Sequence, residues 1–217
     1  MTIPALQIAE ALAPFALDVA DATLEQFAAY LRLVQQYSQG FNLTGFSSES
    51  ELAFELIVES ARLLELGPIG DGWRVVDLGS GAGAPVVTLA VLCPLAQFSA
   101  VEPSERRSAF LRQVQASLKL ENLEICAVGA AEVSRSYRRA CDLVTSRAFT
   151  PLPRLLPLVA KFLRPGGQLR GYLGAIGGGL DAVAARSGFH VAQIVSYQVG
   201  DAQRHIYRLD AESKSAS

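Results

Sequence analysis

Up to about Leu66 the apolar positions recur every three or four residues. Leu24, Phe27, Ala28, Leu31 and Val34 form one such stripe, which predicts an amphipathic helix closing at Gln39-Gly40. Phe41-Asn42-Leu43-Thr44-Gly45 reads as a turn. A second helix is expected from about Ser50 to Leu66, with Leu52, Leu56, Ile57 and Leu64 on its inner face. Gly67-Pro68-Ile69-Gly70-Asp71-Gly72 breaks the pattern, and beyond it the period changes. Short apolar runs at Arg74–Leu78, Gln97–Val101, Leu123–Ala127, Asp142–Thr145 and Gln168–Leu173 alternate with helical stretches at Pro85–Leu92, Ser104–Leu120 and Pro151–Leu163. Arg164-Pro165-Gly166-Gly167 stops the last of these helices. Strands separated by helices cross over right-handed and lie side by side. The alternation therefore predicts an α/β fold around a doubly wound, mostly parallel sheet. Phe189–Val199 and Arg204–Leu209, split by Gly200-Asp201, are expected as an antiparallel hairpin at one edge. The expected organisation is a helical extension over 1–66, a core over 67–211 and a frayed polar tail over 212–217, forming one compact domain overall.

Half of the 217 residues are hydrophobic and 18% are charged, enough for a large core and too apolar for global disorder. The net charge of −2 argues against a protein that holds nucleic acid by bulk positive charge, and leaves room for a local basic site. Among the 19 basic residues only Lys119, Lys161 and Lys214 are lysines, the rest being the planar, forked arginine. Cys93, Cys126 and Cys141 form no CxxC pair and sit in no Cys/His cluster, so neither zinc nor any other metal is expected. A sparse, odd cysteine count fits a reducing cytoplasm. Met1–Pro14 has no basic region ahead of its apolar residues, so no export signal is expected there. No apolar run reaches membrane-spanning length, so no membrane partner is expected.

The chemistry concentrates in Val75-Val76-Asp77-Leu78-Gly79-Ser80-Gly81-Ala82-Gly83, which ends the first strand and opens the first helix of the core. Glycines there let the chain turn tightly and let a ligand approach the backbone, outside the carboxyl ends of the strands. Gly79-x-Gly81-x-Gly83 by itself resembles a dinucleotide fingerprint. Asp77 decides otherwise: a carboxylate just ahead of the glycines would repel a pyrophosphate and suits a ligand bearing an amino group. Glu102, at the end of the second strand, can accept from two ribose hydroxyls, which would serve NAD equally well. The combination points to S-adenosylmethionine. Thr145-Ser146-Arg147-Ala148 occupies the place where base-amino methylases carry an Asn/Asp-Pro-Pro-aromatic segment, which disfavours exocyclic amines. Cys141 starts a strand, which does not suit the loop nucleophile that cytosine C5 chemistry needs. A ring nitrogen such as guanine N7 has a lone pair and no proton to lose, so positioning can supply most of the acceleration.

Taken in order, these segments resemble the ribosomal small-subunit methyltransferase G family, also called GidB, over nearly the whole chain from about Ala22 to Leu209. The similar pieces are Phe41-Asn42-Leu43-Thr44, Asp77 to Gly83 with Pro85, Phe110-Leu111-Arg112-Gln113-Val114, Leu118-Lys119-Leu120-Glu121-Asn122, Ser146-Arg147-Ala148 and Arg204-His205. The resemblance implies a Rossmann-like class I S-adenosylmethionine-dependent methyltransferase of the cytoplasm, acting on N7 of guanine 527 in 16S rRNA, naked or within the 30S particle. Three departures stand out. The family's His-x-x-Asp-Ser run is here Leu56-Ile57-Val58-Glu59-Ser60, its Gly-Phe-Pro-Gly is Gly83-Ala84-Pro85-Val86, and its Lys-Gly is Leu173-Gly174. Two rival readings stay open: a methyltransferase-like protein that binds the cofactor without transfer, and a small-molecule methyltransferase.

The candidate cofactor residues are Asp77, Gly79, Ser80, Gly81, Gly83, Glu102, Ala131, Glu132 and Arg147. Arg147 is also the candidate positioning residue, placed to contact substrate RNA or to hold a nearby carboxylate, and no general base is expected. Asn42, Arg106, Arg107 and Arg204 are candidate RNA contacts. Arg135, Arg138 and Arg139 read as solvated, and His190 and His205 as structural.

Overall fold

The computed structural model describes residues 8–9, 12–13, 19–41, 43–46, 48–135, 137–174 and 179–212. Asn42, the tail beyond Glu212 and most of Met1–Pro14 lie outside them. Helix α1 (Asp21–Ser38) buries Leu24, Phe27, Leu31 and Val34, the predicted stripe, and widens it with Tyr30. α2 (Glu49–Ala53) starts on a capping box: Ser48 accepts from the Glu51 N–H while the Glu51 carboxylate accepts from the Ser48 N–H. It runs on without a break through a π-helical turn (Phe54–Val58), α3 (Glu59–Ala61) and a 3₁₀ turn (Arg62–Leu66). Here helical periodicity misleads. The wide turn inserts an extra residue, so Leu63 and Leu66 are buried while the expected Leu64 lies half-exposed.

Strands β1 (Arg74–Leu78), β2 (Gln97–Val101), β3 (Leu123–Cys126), β4 (Cys141–Ser146), β5 (Leu163–Leu173), β6 (Phe189–Val199) and β7 (Ala202–Ala211) form one sheet in the order β3-β2-β1-β4-β5-β7-β6. The pairs from β3 through β5 are parallel, and β7 is antiparallel to both β5 and β6. The predicted sheet and edge hairpin are therefore present. β5 begins at Leu163 rather than Gln168. Leu163 pairs with Cys141 and Gln168 with Leu143, so the Pro165-Gly166-Gly167 stop is looped out as an irregularity within a single strand.

Helices α4 (Val86–Leu92) and α5 (Glu105–Leu118) lie on one face of the sheet. Ser104 caps α5, and Lys119 ends it in a left-handed conformation. α1 joins them: Phe27, Tyr30 and Leu31 share a core cluster with Val75, Val86, Phe110 and Leu111. The short α6 (Ala130–Val133), α7 (Leu152–Phe162) and α8 (Leu180–Arg186) cover the other face, where Leu155, Val159 and Phe162 pack on Val76, Val144 and Leu169. Successive β1 residues thus feed opposite cores, the period-two consequence of the pleat. Arg170, 1% exposed, donates from β5 to the carbonyls of Leu63, Gly67 and Pro68. It caps the end of the 3₁₀ turn and fixes the helical extension to the sheet.

Candidate functional site

The β1 register sets Asp77 between Ala100 of β2 and Thr145 of β4. The chain then folds over the end of β2. The Gly79 and Ser80 N–H groups both donate to the Val101 carbonyl, at 2.9 and 3.3 Å. The Gly81 N–H donates to Glu102 Oε2 and the Ser104 N–H to Oε1, each at 2.9 Å. Glu102 is therefore a clip between the glycine loop and the cap of α5. From the helical side, the Tyr30 hydroxyl donates to the Ala82 carbonyl at 2.7 Å.

The three glycines have different jobs. Gly79, Gly81 and Gly83 have φ of +77°, +54° and +101°. A Cβ on Gly83 would stand 2.6 Å from Val87 Cγ2 and 2.9 Å from the Tyr30 hydroxyl, whereas one on Gly81 would meet only the Gly79 carbonyl, at 3.8 Å. Gly83 serves packing, and Gly81 faces open space. Gly83→Ala is expected to cost about 2 kcal/mol or more through overpacking, and Gly81→Ala about 1 kcal/mol from the left-handed backbone alone. Urea titration of both variants checks this, and equal losses would contradict the difference in surroundings.

Asp77 is 1% exposed. Its Oδ1 accepts from the Thr145 hydroxyl at 2.8 Å, and its Oδ2 is buried without a partner. Burial pushes its carboxyl up to about 7, with the Ser80 and Thr145 hydroxyls opposing and the charge of Glu102 adding. A buried acceptor without a donor, next to glycine backbone with open space, fits a ligand that brings an N–H or ammonium group. After β4, Ala148 adopts φ of +52° and turns Phe149 back over Gly79, where the missing Cβ leaves room for the ring.

Beside this loop lies a second constellation. The π-helical turn and the start of α3 bring Glu55 and Glu59 to the carboxyl end of β4 and the amino end of β7, where they meet Arg147 and Arg204. Arg147 donates to the Glu55 carbonyl, to the Glu55 carboxylate and to Glu59 Oε2. Arg204 donates to Glu59 Oε1 at 2.6 Å and Glu55 Oε1 at 2.8 Å, and the Tyr197 hydroxyl donates to Glu59 Oε1 at 2.8 Å. Burial works to raise the Glu55 carboxyl. The bonds to Arg204 and the charge of Arg147 outweigh it and hold the pKa below its ordinary value.

Of the two uses foreseen for Arg147, the structure shows it holding carboxylates. The same pairing occupies Arg204, which the sequence suggested for RNA. Arg106 and Arg107 are exposed on the first turn of α5, Ala131 and Glu132 are exposed on α6, and Asn42 lies outside the described residues. Leu173 packs toward the apolar core on the α7 face. His190 lies exposed rather than packed, whereas His205 is buried against Ser196 Oγ at 2.8 Å. Cys141 is the first residue of β4, and burial pushes its thiol up to about 12, away from nucleophilic use. Sequence reasoning missed Tyr30, Glu55, Thr145 and Phe149. The visible signal was Glu55 with Glu59, two acids four apart in an otherwise apolar helical run. Among the described residues, none of the helices is long and apolar enough to cross a membrane, and no group of three or more His, Cys, Asp or Glu side chains is placed to hold a metal ion.

The sequence pattern of the family described as rRNA small subunit methyltransferase G matches residues 23–206. A protein of that name from Deinococcus deserti is 38% identical over 162 residues, 74% of this chain and 66% of its own length. The one from Deinococcus radiodurans is 35% identical, over 66% of this chain and 57% of its own length, so the chain spans about two thirds or less of these relatives. The one from Chromobacterium violaceum is 27% identical over 96% of this chain and 99% of its own. Among solved structures, the [4+2]-cyclase SpnF superposes with a TM-score of 0.61 at 14% identity, over 88% of this chain and 96% of that one. M. jannaschii TYW2, crystallised with AdoMet, gives 0.55 at 16% identity, over 70% and 73%. These likenesses agree with the sheet order: the fold is the Rossmann-like class I methyltransferase fold.

Proposed function

We propose that this chain, which belongs to the rRNA small subunit methyltransferase G family, transfers a methyl group from S-adenosylmethionine to N7 of guanine 527 in 16S rRNA, in the cytoplasm and on the 30S particle. The observation that carries the cofactor assignment is the buried, unpartnered Asp77 Oδ2 at the foot of the glycine loop. When bound, S-adenosylmethionine supplies a methyl group activated on a sulfonium. The chain supplies the rest. Asp77 accepts from the ligand's amino group, and the burial that makes its charge costly unaided makes that contact strong. Glu102 already uses one lone pair on each oxygen for Gly81 and Ser104, and its remaining lone pairs are available to ribose hydroxyls. Gly81 leaves the approach to the backbone open. Ala131 and Glu132, exposed on α6, are the adjoining contacts toward the adenosine side.

N7 carries no proton, so no side chain has to act as base, and the residues around the site hold and orient. Phe149, 38% exposed beside Gly79, offers a ring on which a base can stack. Arg147 acts as a positioning residue: bound to Glu55 and Glu59, it fixes the end of β4 and so the turn that places Phe149.

The deciding experiment is methyl transfer from labelled cofactor to 30S particles, with the modified base mapped. Label at guanine N7 is expected, and a protein that binds cofactor yet labels neither 30S nor naked rRNA overturns the transfer. Cofactor binding is separable by calorimetry with S-adenosylhomocysteine. Gly81→Val is expected to abolish it. Glu102→Ala should weaken it by roughly 1.5–3 kcal/mol, the range for hydrogen bonds to a charged group, with Glu102→Gln losing less. Tight NAD binding without S-adenosylhomocysteine binding would refute the assignment, and equal affinities for wild type, Gln and Ala would place the ribose elsewhere.

A further inference from the structure

Arg147 and Arg204, beside the candidate active site, are spent on Glu55 and Glu59. An RNA substrate still requires cations facing its phosphates, because neutralising phosphates and releasing their counterions supplies most of the affinity. The structure holds such a set elsewhere. Arg135, Arg138, Arg139 and Lys161 line a groove of about 490 Å³ with Ala131, Ser134 and Ala160, and no Asp or Glu is among its lining residues. All four cationic residues are exposed. Among the described residues their side chains enter no ion pair, in contrast to Arg62, Arg147, Arg164, Arg204 and Arg208.

The walls of the groove are tied together by backbone. The Arg139 N–H donates to the Lys161 carbonyl at 2.8 Å and the Ala140 N–H to the Phe162 carbonyl at 2.9 Å. Arg139 is held at φ of +51°, a conformation a side chain bearing a Cβ adopts at a cost, and it sits opposite Lys161 on the last turn of α7. Lys161 complements the carbonyl end of that helix. That role needs one cation and leaves Arg135, Arg138 and Arg139 unaccounted for. Four unneutralised cations gathered in one groove of a chain whose net charge is −2 are a local anion site that bulk charge conceals. Ala131, another lining residue, is on the α6 turn that the sequence assigned to the cofactor edge.

We propose that this groove grips the phosphate backbone of the RNA substrate, with Arg135, Arg138 and Arg139 as forked phosphate donors and Lys161 as a point charge. The inference rests on the rRNA reading for the identity of the polyanion. Its test is the affinity of the full chain for a naked 16S rRNA fragment containing guanine 527, measured over a salt series. The comparison is between wild type and a variant carrying Arg135→Ala, Arg138→Ala and Lys161→Ala. Arg139 is left in place because its backbone holds the groove. Removing phosphate contacts lowers the salt slope by about 0.7–0.9 for each one lost, so a slope smaller by about two, and an affinity at least tenfold weaker at low salt, are expected. S-adenosylhomocysteine affinity and melting temperature should be unchanged, which separates lost contacts from lost folding. Equal RNA affinity and slope in the two proteins, including no binding by either, overturns the groove; that result would suit an acidic protein partner. Transfer to 30S is read in parallel: absence of transfer by the wild type refutes the functional reading, whatever the groove binds.

Discussion

Asp77→Asn is expected to stabilise the ligand-free protein at pH 8 by about 2 kcal/mol while removing measurable binding of S-adenosylhomocysteine. The Asp77 carboxyl stands at about 7 in the fold, because burial disfavours its charge by more than the Ser80 and Thr145 hydroxyls favour it; its Oδ2 is buried without a partner. Against the ordinary aspartate value of about 3.9, three units of difference correspond to roughly 4 kcal/mol. The amide carries no charge and keeps an oxygen for the Thr145 hydroxyl. Its NH₂ is then buried without an acceptor, at roughly 1–3 kcal/mol, which leaves a net gain near 2. The folded value lies above the unfolded one, so the penalty is absent below about pH 4. It grows as pH rises from about 4 to about 7 and is complete above that. Melting curves should therefore superpose or favour the wild type at pH 4, and separate in favour of the Asn variant at pH 8. An equal difference at both values would show that the carboxyl bears no buried charge. In the wild type at pH 6 the ligand's ammonium should draw the proton off Asp77, so the heat of binding should depend on the ionisation enthalpy of the buffer. The site gives up stability to hold a charge ready for its ligand.

Glu59→Ala should destabilise the fold by about 3 kcal/mol. Its side chain is 3% exposed and takes bonds from Arg147, Arg204 and Tyr197. Removing it leaves two guanidinium groups and a phenol at a covered edge with one carboxylate between them. Breaking a buried pair costs about 3–5 kcal/mol, and the partial exposure of Arg204, 32%, puts the value at the low end. Glu55→Ala should cost less, because Arg147 keeps its bond to the Glu55 carbonyl and Glu59 still serves both arginines. Glu55 also makes the edge acid-sensitive. Its carboxyl is held below the ordinary value, so its contribution is complete above that value and is lost as pH falls through the lowered one. Urea titrations of the two single variants at pH 7 read the difference. A loss below about 1 kcal/mol for Glu59→Ala would mean that water replaces the carboxylate and that the cluster holds nothing in place. Because Arg147 precedes the Ala148 turn and Phe149, a destabilised cluster should also lower transfer to RNA with cofactor affinity retained.

The sequence by itself determined the sheet, the order of its helices and the loop after β1. Those features are encoded in period-two and period-3.6 patterns and in glycines, which report on residues close in the chain. That Asp77, Gly81 and Glu102 share one edge was legible for the same reason: Asp77 and Glu102 sit at the ends of β1 and β2, Gly81 lies in the loop that follows β1, and strand ends in a parallel sheet converge on one edge. What an arginine pairs with is not a local property. Arg147 and Glu59 are 88 residues apart, and only the folding of the extension onto β4 and β7 decided that this cation is spent inside the protein. Arg135, Arg138 and Arg139 look like an ordinary solvated run until the end of α7 brings Lys161 beside them, with no Asp or Glu among the residues lining the groove they share. The π-helical turn escaped because one extra residue in a helix leaves no mark in its composition, yet it turns Glu55 and Glu59 toward the arginines. Likewise, only packing shows that Gly83 is a contact for Tyr30 while Gly81 faces open space. Periodicity fixes which face of an element is buried; the partner that face meets depends on elements far away in the chain, and charge is allotted only when they close together.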